Sequence, residues 1–110
     1  MRAVKLFRGD TWQRTWLIRD AAEVPIDLTG AGARLHVRDA DGALVAEAST
    51  LDGRLAITAV EGRIDLLMPY TATQLSPGSF LFDLEVTHAS GLRRTYEQAV
   101  LVILEDMARD

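Results

Sequence analysis

Gly78-Ser-Phe-Leu-Phe-Asp-Leu-Glu-Val-Thr87 puts Phe80, Phe82, Leu84 and Val86 on one side of an extended chain and Leu81, Asp83, Glu85 and Thr87 on the other. Successive side chains of a strand point to opposite faces, so this is the pattern of a strand with one face in a core and one in water. Ser90-Gly91 turns it back, and Leu92 to about Glu105 reads as the last strand, mixed at first and uniformly apolar from Ala99 to Leu104. Upstream, Ala33 to Asp39 alternates in the same way, with Ala33, Leu35 and Val37 inward and Arg34, His36 and Arg38 outward. Asp41-Gly42 then predicts a hairpin into Ala43 to Ser49, because Asp bonds nearby backbone N–H groups and Gly accepts positive φ. Asp52-Gly53 and Glu61-Gly62 bracket two more short strands, Arg54 to Thr58 and Arg63 to Met68, whose inward sets are Leu55/Ile57 and Ile64/Leu66/Met68.

The first stretches, Val4 to Arg8 and Thr11 to Arg19, extend the pattern to the N-terminal end, with Trp12, Trp16 and Ile18 sharing a face that Arg14 interrupts. Pro25 and the nearby glycines break regular structure between Asp20 and Gly30. Pro69 to Pro77 predicts one helical turn, capped by a Thr, that crosses between sheets. The fold class is therefore all-β: an immunoglobulin-like antiparallel β-sandwich of about seven to nine strands with one short helical crossover. A single β-sandwich domain spans residues 1–110, with 106–110 expected to be a frayed tail.

Composition narrows the function classes. The chain has 110 residues, no Cys and a formal charge of −4. Without cysteine there is neither a disulfide scaffold nor a thiolate nucleophile, and the net negative charge provides no general attraction for nucleic acid or an anionic membrane. No stretch has the form of a signal peptide or a transmembrane segment. The expected partners therefore include no nucleic acid and no membrane.

Several short motifs invite a chemical reading, and each has a plainer one. Arg8-Gly9-Asp10 matches an integrin-binding tripeptide but sits where a tight turn is needed. Asp39-Ala-Asp-Gly42 opens like a calcium loop but lacks the further oxygen ligands, and reads as a hairpin. His36 and His88 are far apart and have no second ligand nearby, so both are expected to face solvent. Asp83 and Glu85 share a face about 7 Å apart, the geometry of a carboxylate pair. Outward Arg34, His36, Arg38, Arg54 and Arg63 make cross-strand ion pairing the simpler account. No Gly-x-Ser-x-Gly elbow and no phosphate-binding loop occur. The reading is thus of no enzyme, with no catalytic residue, no metal and no cofactor.

The arrangement of motifs carries a further clue. Phe7-Arg-Gly-Asp-Thr-Trp12, Ile18-Arg-Asp20, Pro25-Ile-Asp-Leu-Thr-Gly30, Arg34-Leu-His-Val-Arg38 and Gly78-Ser-Phe-Leu-Phe-Asp83 precede a closing hydrophobic strand. The chain in this respect resembles small phage and prophage proteins of the tail or baseplate. It is similar to the N-terminal immunoglobulin-like domain of the baseplate upper protein family, in which an early "G-D" strand is followed by "G-x-P-x-D-L-T-G" and a late "P-G-x-Y". Glu23-Val24 stands where that pattern has a Gly before Pro25, and Phe80 stands where Tyr is commoner. The resemblance implies a virion structural or adaptor protein, made in the bacterial cytoplasm and held by protein contacts. Its partners would be other virion proteins, to which the closing apolar strand adds a second copy of itself, in a homo-oligomer. Asp27, Leu28, Thr29 and Gly30 would be a fold element. A different class, a small-ligand or carbohydrate-binding β-sandwich, is the alternative, because fold does not settle function.

One strand supplies a residue-level expectation of association. Along Ala99 to Leu104 both rows are apolar, Val100, Val102 and Leu104 on one face and Ala99, Leu101 and Ile103 on the other. A sandwich core meets only one of them, so the second needs the 70–76 crossover or another subunit as cover. The strand is accordingly the candidate protein-contact element, with Ala99, Leu101 and Ile103 taken as the contact row.

Overall fold

A computed structural model of the chain describes residues 2–105, and the expected frayed tail, 106–110, lies outside the described residues. The described residues form eight strands: β1 (Ala3–Phe7), β2 (Trp12–Leu17), β3 (Gly32–Arg38), β4 (Leu44–Ser49), β5 (Leu55–Thr58), β6 (Arg63–Met68), β7 (Gly78–Thr87) and β8 (Arg93–Leu104). They pair into a five-stranded sheet of order β1-β8-β7-β3-β4 and a three-stranded sheet of order β2-β6-β5. All ladders are antiparallel except β1 with β8, which run parallel with Ala3 opposite Val100 and Phe7 opposite Leu104. In immunoglobulin terms β2, β6 and β5 take the places of strands B, E and D, and β8, β7, β3 and β4 those of G, F, C and C′. The chain is an immunoglobulin-like β-sandwich.

The core lies between the sheets and is built from the rows that alternation places inward. Ala33, Leu35 and Val37 of β3, with Phe82, Leu84 and Val86 of β7, face Trp12, Trp16, Ile64, Leu66 and Met68 of the smaller sheet, all buried. Trp12 meets Phe82 edge to face with ring centroids 5.1 Å apart, joining the two sheets at the centre. The crossover between β6 and β7 is a single 3-10 turn, Tyr70–Ala72, as short as expected, but its N-cap is Pro69 with no side-chain bond. Thr73 instead closes its far end, its hydroxyl donating to the carbonyls of Asp10 (2.6 Å) and Tyr70 (3.1 Å). A second 3-10 turn, Ala59–Glu61, occupies what reads in the sequence as a plain Glu61-Gly62 reversal.

The last strand corrects the expected contact row. Ala99, Leu101 and Ile103 are buried in the chain's own core, at 0%, 1% and 2% exposure, and are not available to a partner. The outward row is Val100, Val102 and Leu104. The phase is set by a bulge: Leu84 pairs with Glu97 and Glu85 with Thr95, so Tyr96 is an extra residue on β8. An inserted residue moves every following side chain to the opposite face.

The loop between β2 and β3 closes one end of the sandwich. Asp20 accepts from the backbone N–H groups of Ala22 and Val24, and Asp27 from the N–H and hydroxyl of Thr29. Leu28, held by its N–H to the Ala59 carbonyl, is 1% exposed and plugs the core. Glu23 has φ of 64°, the one non-glycine residue among those described with a left-handed backbone. It stands where the resembling pattern has Gly, and a side chain there crowds its own carbonyl. Glu23→Gly is therefore expected to raise stability by about 0.5–1 kcal/mol, the steric gain less the added freedom of the unfolded chain. Urea unfolding of the two proteins checks it, and a loss of stability would contradict this account.

Candidate functional site

The residue that interrupts the apolar face of β2 faces the core from its margin. Arg14 points inward with Trp12 and Trp16 and reaches across the sandwich to Glu97 of β8, Nη2 donating to Oε1 at 2.6 Å and to Oε2 at 2.8 Å, and Nε to Oε1 at 3.0 Å. Trp16 Nε1 donates to the same Oε1 at 2.9 Å, and Arg2 adds a longer bond of 3.4 Å from the surface. The guanidinium also lies 5.6 Å from the Trp16 ring and 5.7 Å from the Phe82 ring. Both charged side chains are mostly buried, with 20% and 13% exposure. Every strong acceptor position of the carboxylate is thus filled from within the fold, which leaves it no hand for substrate: this is a clasp between sheets. The sequence marks Arg14 as an anomaly, but its partner lies 83 residues away and on a strand whose phase depends on a bulge.

The other motifs resolve locally. Arg8-Gly9-Asp10 is a tight turn, with Gly9 at φ 81° and buried, and the Asp10 N–H bonded to the Phe7 carbonyl. Asp39 Oδ1 accepts from the N–H groups of Asp41 (2.9 Å) and Ala43 (3.0 Å) and so shapes the hairpin. The two histidines do not simply face water. His88 follows β7, is half-buried, and bonds the Tyr96 hydroxyl through Nε2 at 2.8 Å, while half-buried His36 lies 3.8 Å from Glu47 on β4.

Arg34 stands opposite Glu85 and His36 opposite Asp83 in the β3–β7 ladder, yet neither pair closes to an ion pair among the described residues. Arg63 belongs to the other sheet, where it pairs with Asp65 of its own strand at 2.9 Å. Asp65 also accepts from the Thr15 hydroxyl at 2.6 Å. The bond from Thr15 first, and that from Arg63 second, hold the Asp65 carboxyl below its ordinary value of 3.8.

What the larger sheet does present is a mixed outer face. On β1, β8 and β7 it carries Phe7, Val100, Val102, Leu104 and Leu81, of which Phe7 and Leu81 are about half exposed, with Lys5 among them opposite Val102. On β3, β4 and the rest of β7 it carries the charged groups Arg34, Arg38, Glu47, Asp83 and Glu85. Among the described residues the crossover does not cover the apolar half, whose Val100, Val102 and Leu104 are half-buried, and its Thr73 is tied down at the Gly9 turn instead.

No protein-family model and no curated protein matches the sequence. Among solved structures the chain is similar to CopC from Methylosinus trichosporium OB3b (13% identity, 84% of this chain and 95% of that one, TM-score 0.45). It is also similar to murine CRIg (12%, 94% and 93%, TM-score 0.45). Drosophila OTK extracellular domains 3-5 give 14% identity over 96% of this chain and a TM-score of 0.44, the chain spanning 34% of that structure.

Glu97→Ala should destabilise the fold by about 2–4 kcal/mol, since it strands a largely buried guanidinium, whereas Arg14→Met combined with Glu97→Leu should recover most of the loss. Denaturant midpoints test both, and a double variant as unstable as the single one would show that the clasp acts by more than mutual neutralisation. Asp65→Asn should lower stability at neutral pH by up to about 1 kcal/mol, given its exposed setting. A depressed folded pKa contributes above the unfolded value, so the gap from wild type should close as pH falls below 3.8. Thermal melts between pH 7 and pH ~2 read this out.

Proposed function

We propose that this chain is a non-enzymatic structural or adaptor protein of a phage or prophage tail or baseplate, working through protein contacts. The observation that supports the reading is the apolar half of the outer sheet face, where Phe7, Leu81, Val100, Val102 and Leu104 form one surface around the parallel β1–β8 pair. Scattered apolar side chains on a surface need no explanation, but a contiguous row on one sheet face suits a protein interface. Aromatic and aliphatic groups would supply the buried centre, and the neighbouring Arg34, Arg38, Asp83 and Glu85 a polar rim that fixes orientation. The family resemblance supplies the setting, and the occupant of the face is another virion subunit.

Mass spectrometry of tail particles, purified from a host whose prophage carries the gene, tests the setting. The chain should be recovered in fixed ratio to the other tail proteins, and its absence from intact particles would refute the reading. Substitutions test the face. Val102→Asp should leave the circular dichroism spectrum intact and remove the chain from particles, while Leu101→Asp, one residue away, should unfold it. Normal incorporation of folded Val102→Asp would assign the contact to another surface.

A further inference from the structure

β7 is longer than the strand beside it. β3 reaches it only as far as Arg38, opposite Leu81, and then leaves for the turn at Asp39, while β7 runs back to Gly78 against β8. Gly78, Ser79 and Phe80 therefore have a strand on one side and, among the described residues, none on the other. Which of their backbone groups face the open side follows from β8. Val100 donates its N–H to the Arg2 carbonyl, and the Leu104 carbonyl accepts from Arg8, so the even-numbered residues of β8 turn their backbone toward β1. The odd-numbered Leu101 and Ile103 turn theirs toward β7, where they meet Phe80 and Gly78. Ser79, between these two, directs both its N–H and its C=O away from β8, into the space that β3 vacates.

That space is shaped on both faces of the sheet. On the core side a groove of about 510 Å³ runs between the β3–β4 turn and the end of the crossover, floored by Val45, Leu75 and Phe80. On the outer side a smaller hollow of about 210 Å³ is lined by Ala40, Leu81 and Val100. Val45 is the extra residue of a bulge in β4, since Val37 pairs with Ala46 and Arg38 with Leu44. Gly78 has φ of 147°, and a Cβ there would meet nothing within 4 Å, so its backbone lies open to close approach. Asp39 and Asp41 stand at the rim, and among the described residues no basic side chain lines either hollow. Asp39 has one oxygen engaged by backbone N–H groups, and the Asp41 carboxylate has no hydrogen bond or ion pair among the described residues.

We propose that the Ser79 edge takes an extended, basic segment of a partner protein as an added strand, antiparallel to β7 and in line with β3. Main-chain bonds to the N–H and C=O of Ser79 hold it, successive apolar side chains enter the two hollows on opposite faces, and Lys or Arg side chains answer Asp39 and Asp41. A strand laid on an edge sends alternate side chains to the two faces, and the paired hollows fit that geometry. The negative rim sets the sign of the partner. This inference goes beyond the virion reading and does not depend on it.

The test titrates the blocked peptide Lys-Val-Leu-Val-Lys into the 15N-labelled full chain and follows the amide spectrum. The Ser79 amide should show the largest shift, with a dissociation constant on the order of 1 mM or tighter. The peptide Glu-Val-Leu-Val-Glu should bind at least about fivefold more weakly, and Asp41→Lys should weaken the basic peptide by a similar factor. Ser79→Pro removes the open N–H without touching a β8 bond, so its spectrum should keep the wild-type pattern while binding is lost. Should that variant fail to fold, Asp41→Lys carries the test. The proposal is overturned by no shift at millimolar peptide, by equal binding of the acidic peptide, or by binding that survives in folded Ser79→Pro. It is also overturned by concentration-dependent shifts at Ser79 without peptide, which would mean that a second copy fills the edge.

Discussion

The carboxylate of Glu97 is where the two sheets are held to one another by something other than apolar contact. Four donor bonds from Arg14 and Trp16 converge on it across the interior, and the guanidinium that supplies three of them lies against two aromatic rings. A charge mostly withdrawn from water needs a partner in good geometry, and a sheet slipped by one residue would bring Gln98 or Tyr96 to that place instead. The clasp therefore penalises the alternative registers that an apolar core alone would accept. It makes the bulge at Tyr96 a requirement of the fold, because only with it does Glu97 face inward.

The same region shows how a sandwich without cysteine is joined. In antibody domains a disulfide links strands B and F through the centre of the core. Here the equivalent strands, β2 and β7, meet through Trp12 and Phe82, packed edge to face at 85°. Such a pair adds about 0.5–1.5 kcal/mol beyond its area, less than a typical disulfide, so cohesion comes from the burial of the whole rows. Those rows are well filled: Leu35, Val37, Ile64, Leu84 and Val86 are completely buried.

Alternation made most of this legible from the sequence. Strands β3 and β6 bury the rows that a period of two marks inward, β7 buries all of its row but the half-buried Phe80, and the glycines after Asp41 and Glu61 carry the positive φ that their turns require. What was not legible depended on pairing over distance. Ala99 to Leu104 is apolar on both sides, so its phase rests on the Tyr96 bulge, and a bulge leaves no mark in a single strand's composition. Arg14 was visible as a break, but its meaning needed Glu97. The partners of the histidines were hidden in the same way, since Glu47 meets His36 as its ladder neighbour and Tyr96 reaches His88 from the bulge across the β7–β8 turn. The open edge at Ser79 is a difference in length between two paired strands, which no reading of either alone contains.

The parallel pairing of β1 with β8 couples the two ends of the fold in time as well as in space. Ala3 meets Val100 and Phe7 meets Leu104, the longest sequence separation that any ladder of the sandwich has to close. A chain emerging from the ribosome can pair β3 with β4 and β5 with β6 as soon as each hairpin is made, but β1 has no neighbour until β8 arrives. Glu97 arrives with it, so Arg14 waits unpaired through the same interval. Completion of the five-stranded sheet and neutralisation of the Arg14 charge thus depend on the same strand, the last to be made.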